Sequence, residues 1–189
     1  QEYTFTNFSH EEGALLYIYQ ADRMREIDLS QISLDANFSF SVMTLCERLI
    51  LGSDSHIEYP IKSYAPLSML NLGELPFLVH LDIKNTGAKS LDASQCPRIE
   101  HIYAQGSALE SITLAETSPI NDIALPNTMV ELRFIGLPML TYKGLSASSG
   151  LQMTNLPAVQ RLRIETSPKL DAIRMLSDVL SSQSANRAL

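Results

Sequence analysis

Apolar residues return along the chain as apolar–any–apolar pairs, one pair every ten or eleven residues. The pairs fall at Ile27/Leu29, Phe38/Phe40, Leu49/Leu51, Tyr59/Ile61, Leu70/Leu72, Leu81/Ile83 and Leu91/Ala93. They continue at Ile102/Ala104, Ile112/Leu114, Ile123/Leu125, Leu132/Phe134, Leu151/Met153 and Leu162/Ile164. Alternation with a period of two buries one face of a short strand. The same strand at fixed spacing predicts stacked coils, since each unit has one apolar face and must dry it against its neighbours.

Longer copies surround these pairs. The clearest are LPFLVHLDI (Leu75–Ile83), CPRIEHIYA (Cys96–Ala104) and LPAVQRLRI (Leu156–Ile164), with looser ones at Ser118–Leu125 and Leu137–Gly144. Proline has a fixed φ and no N–H to give a ladder, so Pro76, Pro97, Pro119, Pro138 and Pro157 mark corners before strands. Leu91/Ala93, Ile112/Leu114, Leu132/Phe134 and Leu151/Met153 then form a second station halfway round. One coil is about 21 residues, within the range of solenoid repeats. That leaves too little chain for an α-helix on the second side, where short extended or 3₁₀ segments are expected.

The ends break the pattern, as an open stack requires. Ser167-Pro168 reads as a helix cap and first helical residue. Leu170, Ile173, Leu176 and Val179/Leu180 follow on one helical face, which predicts a capping helix over 167–183 and a frayed tail at 184–189. Residues 1–25 form an N-terminal cap or irregular first coil, with a strand over Glu2–Phe8 and an ambiguous Glu11–Arg25. Residues 26–166 are the repeats of a single domain.

The copies resemble the L-x-x-L-x-L core of leucine-rich repeats, carried by Leu78, Leu81 and Ile83 and by Val159, Leu162 and Ile164. The resemblance runs from about Tyr17 to Met175, and is to the irregular bacterial type with repeats of about 21 residues. It implies a right-handed solenoid with a parallel β-sheet. The asparagine that usually follows the strand in that family is not kept: Lys84-Asn85 follows Ile83, and Glu165-Thr166-Ser167 follows Ile164.

Composition changes the picture only by exclusion. With 45% apolar and 19% charged residues the chain is of ordered type, and its net charge of −7 argues against phosphate tracking, so no nucleic-acid partner is expected. No apolar run reaches membrane-spanning length. Gln1 in place of Met points to a processed or truncated product. Cys46 and Cys96 lie about fifty residues apart at different points of their coils, and read as small buried hydrophobes rather than a disulfide. Asn7-Phe8-Ser9 and Asn37-Phe38-Ser39 match a glycosylation pattern common by chance.

The chain has no G-x-S-x-G elbow, phosphate-binding glycine loop, H-E-x-x-H or C-x-x-C, and its acidic residues show no paired catalytic spacing. No catalytic, cofactor or metal residue is assigned. His80 and His101 occupy equivalent positions in adjacent coils, and Asp122 follows in the same column, at a spacing of about 4.8 Å. These are ligand types for a divalent cation. The column is read instead as a solvated one in which the aspartate favours protonated histidine. Asp82, Tyr103 and Arg163 point outward between apolar neighbours, Arg161 lies two before Arg163, and Arg133 stands on the other side of the coil. These seven, without Asp122, form the candidate binding surface, because Arg and Tyr are frequent interface anchors.

The function expected is a non-enzymatic protein-interaction or scaffold module presenting an extended sheet to a protein or glycan. The first alternative is a structural segment of a larger surface or phage-tail-type assembly, with flanking domains on a longer polypeptide. A carbohydrate-active β-solenoid enzyme ranks below both, since no column holds two carboxylates. A cell-surface or secreted location is favoured over a phage or intracellular assembly.

Overall fold

The computed structural model describes residues 20–30, 39–52, 68–145 and 147–187. The Glu2–Phe8 strand, most of Glu11–Arg25, Phe38, the Tyr59/Ile61 pair and the first glycosylation triplet lie outside them.

Eleven short strands carry the apolar pairs: β1 (Glu26–Asp28), β2 (Arg48–Ile50), β3 (Met69–Asn71), β4 (His80–Asp82), β5 (Ser90–Ala93), β6 (His101–Tyr103), β7 (Ser111–Leu114), β8 (Asp122–Ala124), β9 (Glu131–Ile135), β10 (Leu151–Gln152) and β11 (Arg161–Glu165). All strand pairs are parallel. One sheet has six strands in the order β1-β2-β4-β6-β8-β10, a second has β3-β5-β7, and a third pairs β11 with β9. From β3 onward the chain visits the six-stranded sheet and its counterpart by turns, an arrangement consistent with a parallel-strand solenoid. Leu81, Ile102 and Ile123 stand in register on one sheet, each a full coil after the last, as do Leu70, Leu91 and Ile112 on the other. All six are buried in one core.

The second side is more regular than a row of loose extended segments, since its strands pair into sheets of their own. A 3₁₀ turn does occur at Phe40–Val42, in the first coils. The beat also slips. The steps from Leu49 to Leu81, from Ile123 to Leu151 and from Leu132 to Leu162 are all longer than the regular step from Leu81 to Ile102. Leu151, expected on the second side, therefore pairs with Ile123 on the six-stranded sheet, while Leu162 and Ile164 pair with Leu132 and Phe134. The cause of the last two lies in the stretch from Gly136 to Gly150. Tyr142 lies down as a parallel bridge beside Leu151. The chain then turns back through Gly150 (φ +79°) and inserts Leu151 between Ile123 and Tyr142. The Ile123 N–H donates to the Gly150 carbonyl at 2.9 Å, and the Leu151 N–H to that of Thr141 at 2.8 Å. A β-carbon at position 150 would stand 2.6 Å from the Thr141 carbonyl oxygen, so glycine is required there.

Corners repeat with their coils. The Leu78 N–H donates to the Leu75 carbonyl at 3.1 Å and the Ile99 N–H to that of Cys96 at 3.3 Å, each closing a turn with proline in second place. Phe77 and Arg98, in equivalent places, stack across coils at 5.6 Å. At the opposite corner the buried hydroxyls of Thr86 and Ser107 donate to the carbonyls of Ile83 (2.8 Å) and Ala104 (2.7 Å). Cys46 and Cys96 are free and buried, and burial pushes both thiols up to about 11.

Helix α1 (Ala172–Arg187) closes the stack, with its start and its buried face both displaced from expectation. Ser167 does not cap it. The buried Ser167 hydroxyl accepts the Leu137 N–H at 3.1 Å and donates to the Phe134 carbonyl, binding one coil to the next. Asp171 caps instead, accepting the Arg174 N–H at 2.9 Å. Leu170 falls in the preceding turn and does not set the helical phase. Met175, Val179 and Ser182 face the core, while Ile173, Leu176 and Leu180 are 85%, 50% and 56% exposed. The helix also runs through 184–187, part of the expected frayed tail.

Two side chains hold α1 down: the Tyr142 hydroxyl donates to Asp178 Oδ2 at 2.7 Å, and Gln183 Nε2 donates to the Val159 carbonyl. Burial and the Asp178 carboxylate both push the Tyr142 phenol far above its ordinary range. Tyr142→Phe is expected to cost about 1 kcal/mol and to lower the thermal midpoint by about 2–4 °C in a domain of this size. Thermal unfolding followed by circular dichroism checks it, and an unchanged midpoint would deny the tether any share in stability.

Candidate functional site

Strands three residues long turn their middle residue inward and their first and third outward, so register builds outward ladders. On the six-stranded sheet the first positions align as Glu26, Arg48, His80, His101 and Asp122. The third positions align as Asp28, Ile50, Asp82, Tyr103, Ala124 and Gln152. The column of His80, His101 and Asp122 read from the sequence is thus present. Four of the seven candidate residues, His80, Asp82, His101 and Tyr103, come together on this face.

Asp82 has a structural duty. It is buried, its Oδ1 accepts the Lys84 N–H at 2.9 Å, and its Oδ2 lies 3.1 Å from Lys84 Nζ. Asp28, Asn71 and Asp92, at the ends of their own strands, accept the N–H two residues on in the same way at 2.8–3.0 Å. These side-chain turns satisfy backbone donors where the chain leaves a sheet. The signal is present in the sequence: an Asp or Asn directly after the inward residue of a strand.

Asp122 does not serve histidine. Its Oδ2 accepts the Tyr103 hydroxyl at 3.0 Å and its Oδ1 accepts Gln152 Nε2 at 2.5 Å. Spacing alone does not bring Gln152 here, because the slip after Gly136 moves it to the other sheet. The Tyr103 phenol is pushed up, first by burial and then by Asp122. The His80 ring lies 5.2 Å from the Tyr103 ring and 6.1 Å from that of His101. His80 Nε2 and His101 Nδ1 are buried without a hydrogen-bond partner among the described residues. His101 Nε2 stands 3.9 Å from Glu100 Oε2. Burial, then Arg48 and His101, lower the His80 pKa, with Asp82 opposing. Among the described residues no three His, Cys, Asp or Glu side chains gather as they would to hold a metal ion.

The three arginines belong elsewhere. Arg133 and Arg163 are neighbours in register on the β9–β11 sheet, where Arg161 pairs with Glu131. Arg161 Nε lies 3.4 Å from Glu131 Oε2, and Arg163 Nε donates to Glu165 Oε1 at 2.7 Å. The expectation that Arg133 stands across the coil from Arg161 and Arg163 is therefore corrected, and the same slip explains it. A shallow depression of about 250 Å³, with Ser94, Thr113 and Glu116 in its wall, lies beside Arg133. The seven candidates thus make two patches, one of rings and carboxylates and one of arginines.

Comparison of the chain with protein-family models, with curated proteins and with solved structures gave no match. Among the described residues no helix is long and apolar enough to cross a membrane.

Proposed function

We propose that the chain is a binding or scaffold module of leucine-rich-repeat type, a right-handed stack that presents the outer face of its six-stranded sheet to a protein or glycan and catalyses no reaction. One observation carries the reading: five adjacent strands place Glu26, Arg48, His80, His101 and Asp122 in a single outward row. The buried positions Leu78, Leu81 and Ile83 support the repeat type. A flat row of mixed charge and aromatic rings suits an extended partner contacted at many points, and a standard interface needs only about 800 Å² on each side.

The test pairs two faces. A panel of immobilised glycans and proteins from the native surroundings is probed with the parent chain, with Tyr103→Ala and with Arg133→Ala. A partner lost with Tyr103→Ala and kept with Arg133→Ala supports the six-stranded face. Loss with Arg133→Ala alone moves the contact to the other sheet, and turnover of a glycan would overturn the non-enzymatic reading. The second reading, a segment of a larger surface or phage-tail-type assembly, is favoured by the exposed Ile173, Leu176 and Leu180 at the closing end of the stack. A flanking domain of a longer polypeptide would dry them there.

A further inference from the structure

We propose that the six-stranded sheet carries an acid-sensitive seam across β2, β4 and β6, and that protonation of His80, set between Arg48 and His101, loosens it. The inference concerns the stability of the sheet and stands apart from any reading of its partner.

Arg48, His80 and His101 are successive rungs of one ladder, about 4.8 Å apart. Arg48, the cation of the row, lies 3.1 Å from Glu26 Oε1 on β1. Each histidine ring turns one nitrogen into the protein, His80 Nε2 and His101 Nδ1, where it meets no partner among the described residues. A neutral imidazole can leave its bare nitrogen there. A protonated one must put an N–H at each nitrogen, so the buried position gains a donor with nothing to accept it.

The surroundings offer little relief. Facing His80 are Arg48 from β2, Asp82 and Lys84 from its own strand and the following turn, and His101 and Tyr103 from β6. His101 meets His80 from β4, Asp122 from β8, and Glu100 beside it in the chain. Asp82 is paired with Lys84, while Asp122 accepts from two neutral donors, Tyr103 and Gln152, and keeps its charge. Glu100 alone stands near His101, at 3.9 Å. A protonated His80 therefore stands beside Arg48 on the neighbouring strand, and like charges facing each other on adjacent strands repel.

The sign follows from linkage. Burial and Arg48 hold the folded His80 below the ordinary imidazole range, so the unfolded chain takes up its proton first. Between the lowered folded value and about pH 6.5 the unfolded state binds more protons, so stability falls as the pH falls; above about pH 6.5 this group adds no slope.

Thermal unfolding of the full chain from pH 7.5 to 5.5 at low salt, compared among the parent, His80→Gln, His101→Gln and the double variant, tests the seam. The chain also holds His10 and His56, so the difference between variant and parent carries the result. The parent midpoint is expected to fall by a few degrees more than that of the double variant, with His80→Gln supplying the larger single share. Four parallel profiles would overturn the proposal. Titration of the ring signals by NMR in the parent covers the case of a variant that fails to fold. His80 is expected to titrate below pH 6.5, and a midpoint at or above that value would overturn the seam.

Discussion

Leu81→Asp is expected to abolish cooperative unfolding, the largest effect that any single change in the stack should produce. Leu81 is the inward residue of β4, fully buried, with Leu49 and Ile102 as its ladder neighbours on either side. A carboxylate there stands fully buried between Leu49 and Ile102. Its charge would lie in a medium of low dielectric without a partner, and even the protonated acid would lack hydrogen bonds. The penalty of at least ~4 kcal/mol takes most or all of the stability usual for a single domain. The damage also spreads, since β4 templates both β2 and β6. Circular dichroism and a urea titration read the outcome: a sloping, unstructured signal or an insoluble product is expected. A soluble Leu81→Asp chain that melts like the parent would refute the inward assignment of the whole ladder. His80→Ala, one residue away and outward, is the matched control for position.

Phe134→Ala ranks next, at about 3–5 kcal/mol. Phe134 heads the fully buried side chains by volume, and its partner in register on β11 is the smaller Ile164. It lies where the step between rungs lengthens, from Leu132 to Leu162. Its phenyl ring is fully buried there. Truncation leaves a cavity that the flanking rungs cannot close, because each is pinned by its own ladder of parallel hydrogen bonds. The midpoint in urea should fall with little change in slope, since the surface exposed on unfolding stays nearly the same. A loss below about 1 kcal/mol would mean that the coil collapses onto the gap and that its width is not fixed by Phe134.

These two sites show which parts of the fold can be read from the chain. Leu81, Ile102 and Ile123 carry their own identity, since a period of two within strands and a constant step between them admit one inward set. A change of phase is another matter. The stretch from Gly136 to Gly150 keeps the local texture of a coil, with Pro138 and Gly144 in plausible places, yet Gly150 turns the chain back and Leu151 is threaded between Ile123 and Tyr142. Nothing local distinguishes that path from another half-coil, because register depends on which rung is free to pair. Every later position inherits the slip, which is why spacing puts Arg161 and Arg163 on the wrong sheet and leaves Gln152 out of the site.

Helix α1 fails differently. Two apolar stripes compete for its face, one through Ile173, Leu176 and Leu180 and one through Met175 and Val179. Apolar spacing favours the first. Tethering by Tyr142 and Asp178, distant in sequence, decides for the second. On the candidate face, the column of His80, His101 and Asp122 follows from spacing alone, while the partners of Asp122 depend on side-chain reach that spacing does not encode.

Parallel pairing of rungs one coil apart also sets an order in time. A newly made stretch that reaches β6 finds β4 already laid down as its template, and needs no residue still unmade. Each addition closes a loop of modest length, at a nearly constant entropic cost. The steps into β4, β10 and β11 are longer, and the one into β10 adds an insertion, since Leu151 pairs with Ile123 on one side and with the earlier Tyr142 on the other. During synthesis that insertion is the one event, among the described residues, in which the chain goes back on itself. The stack therefore grows like a wall laid course by course, with one stone set late.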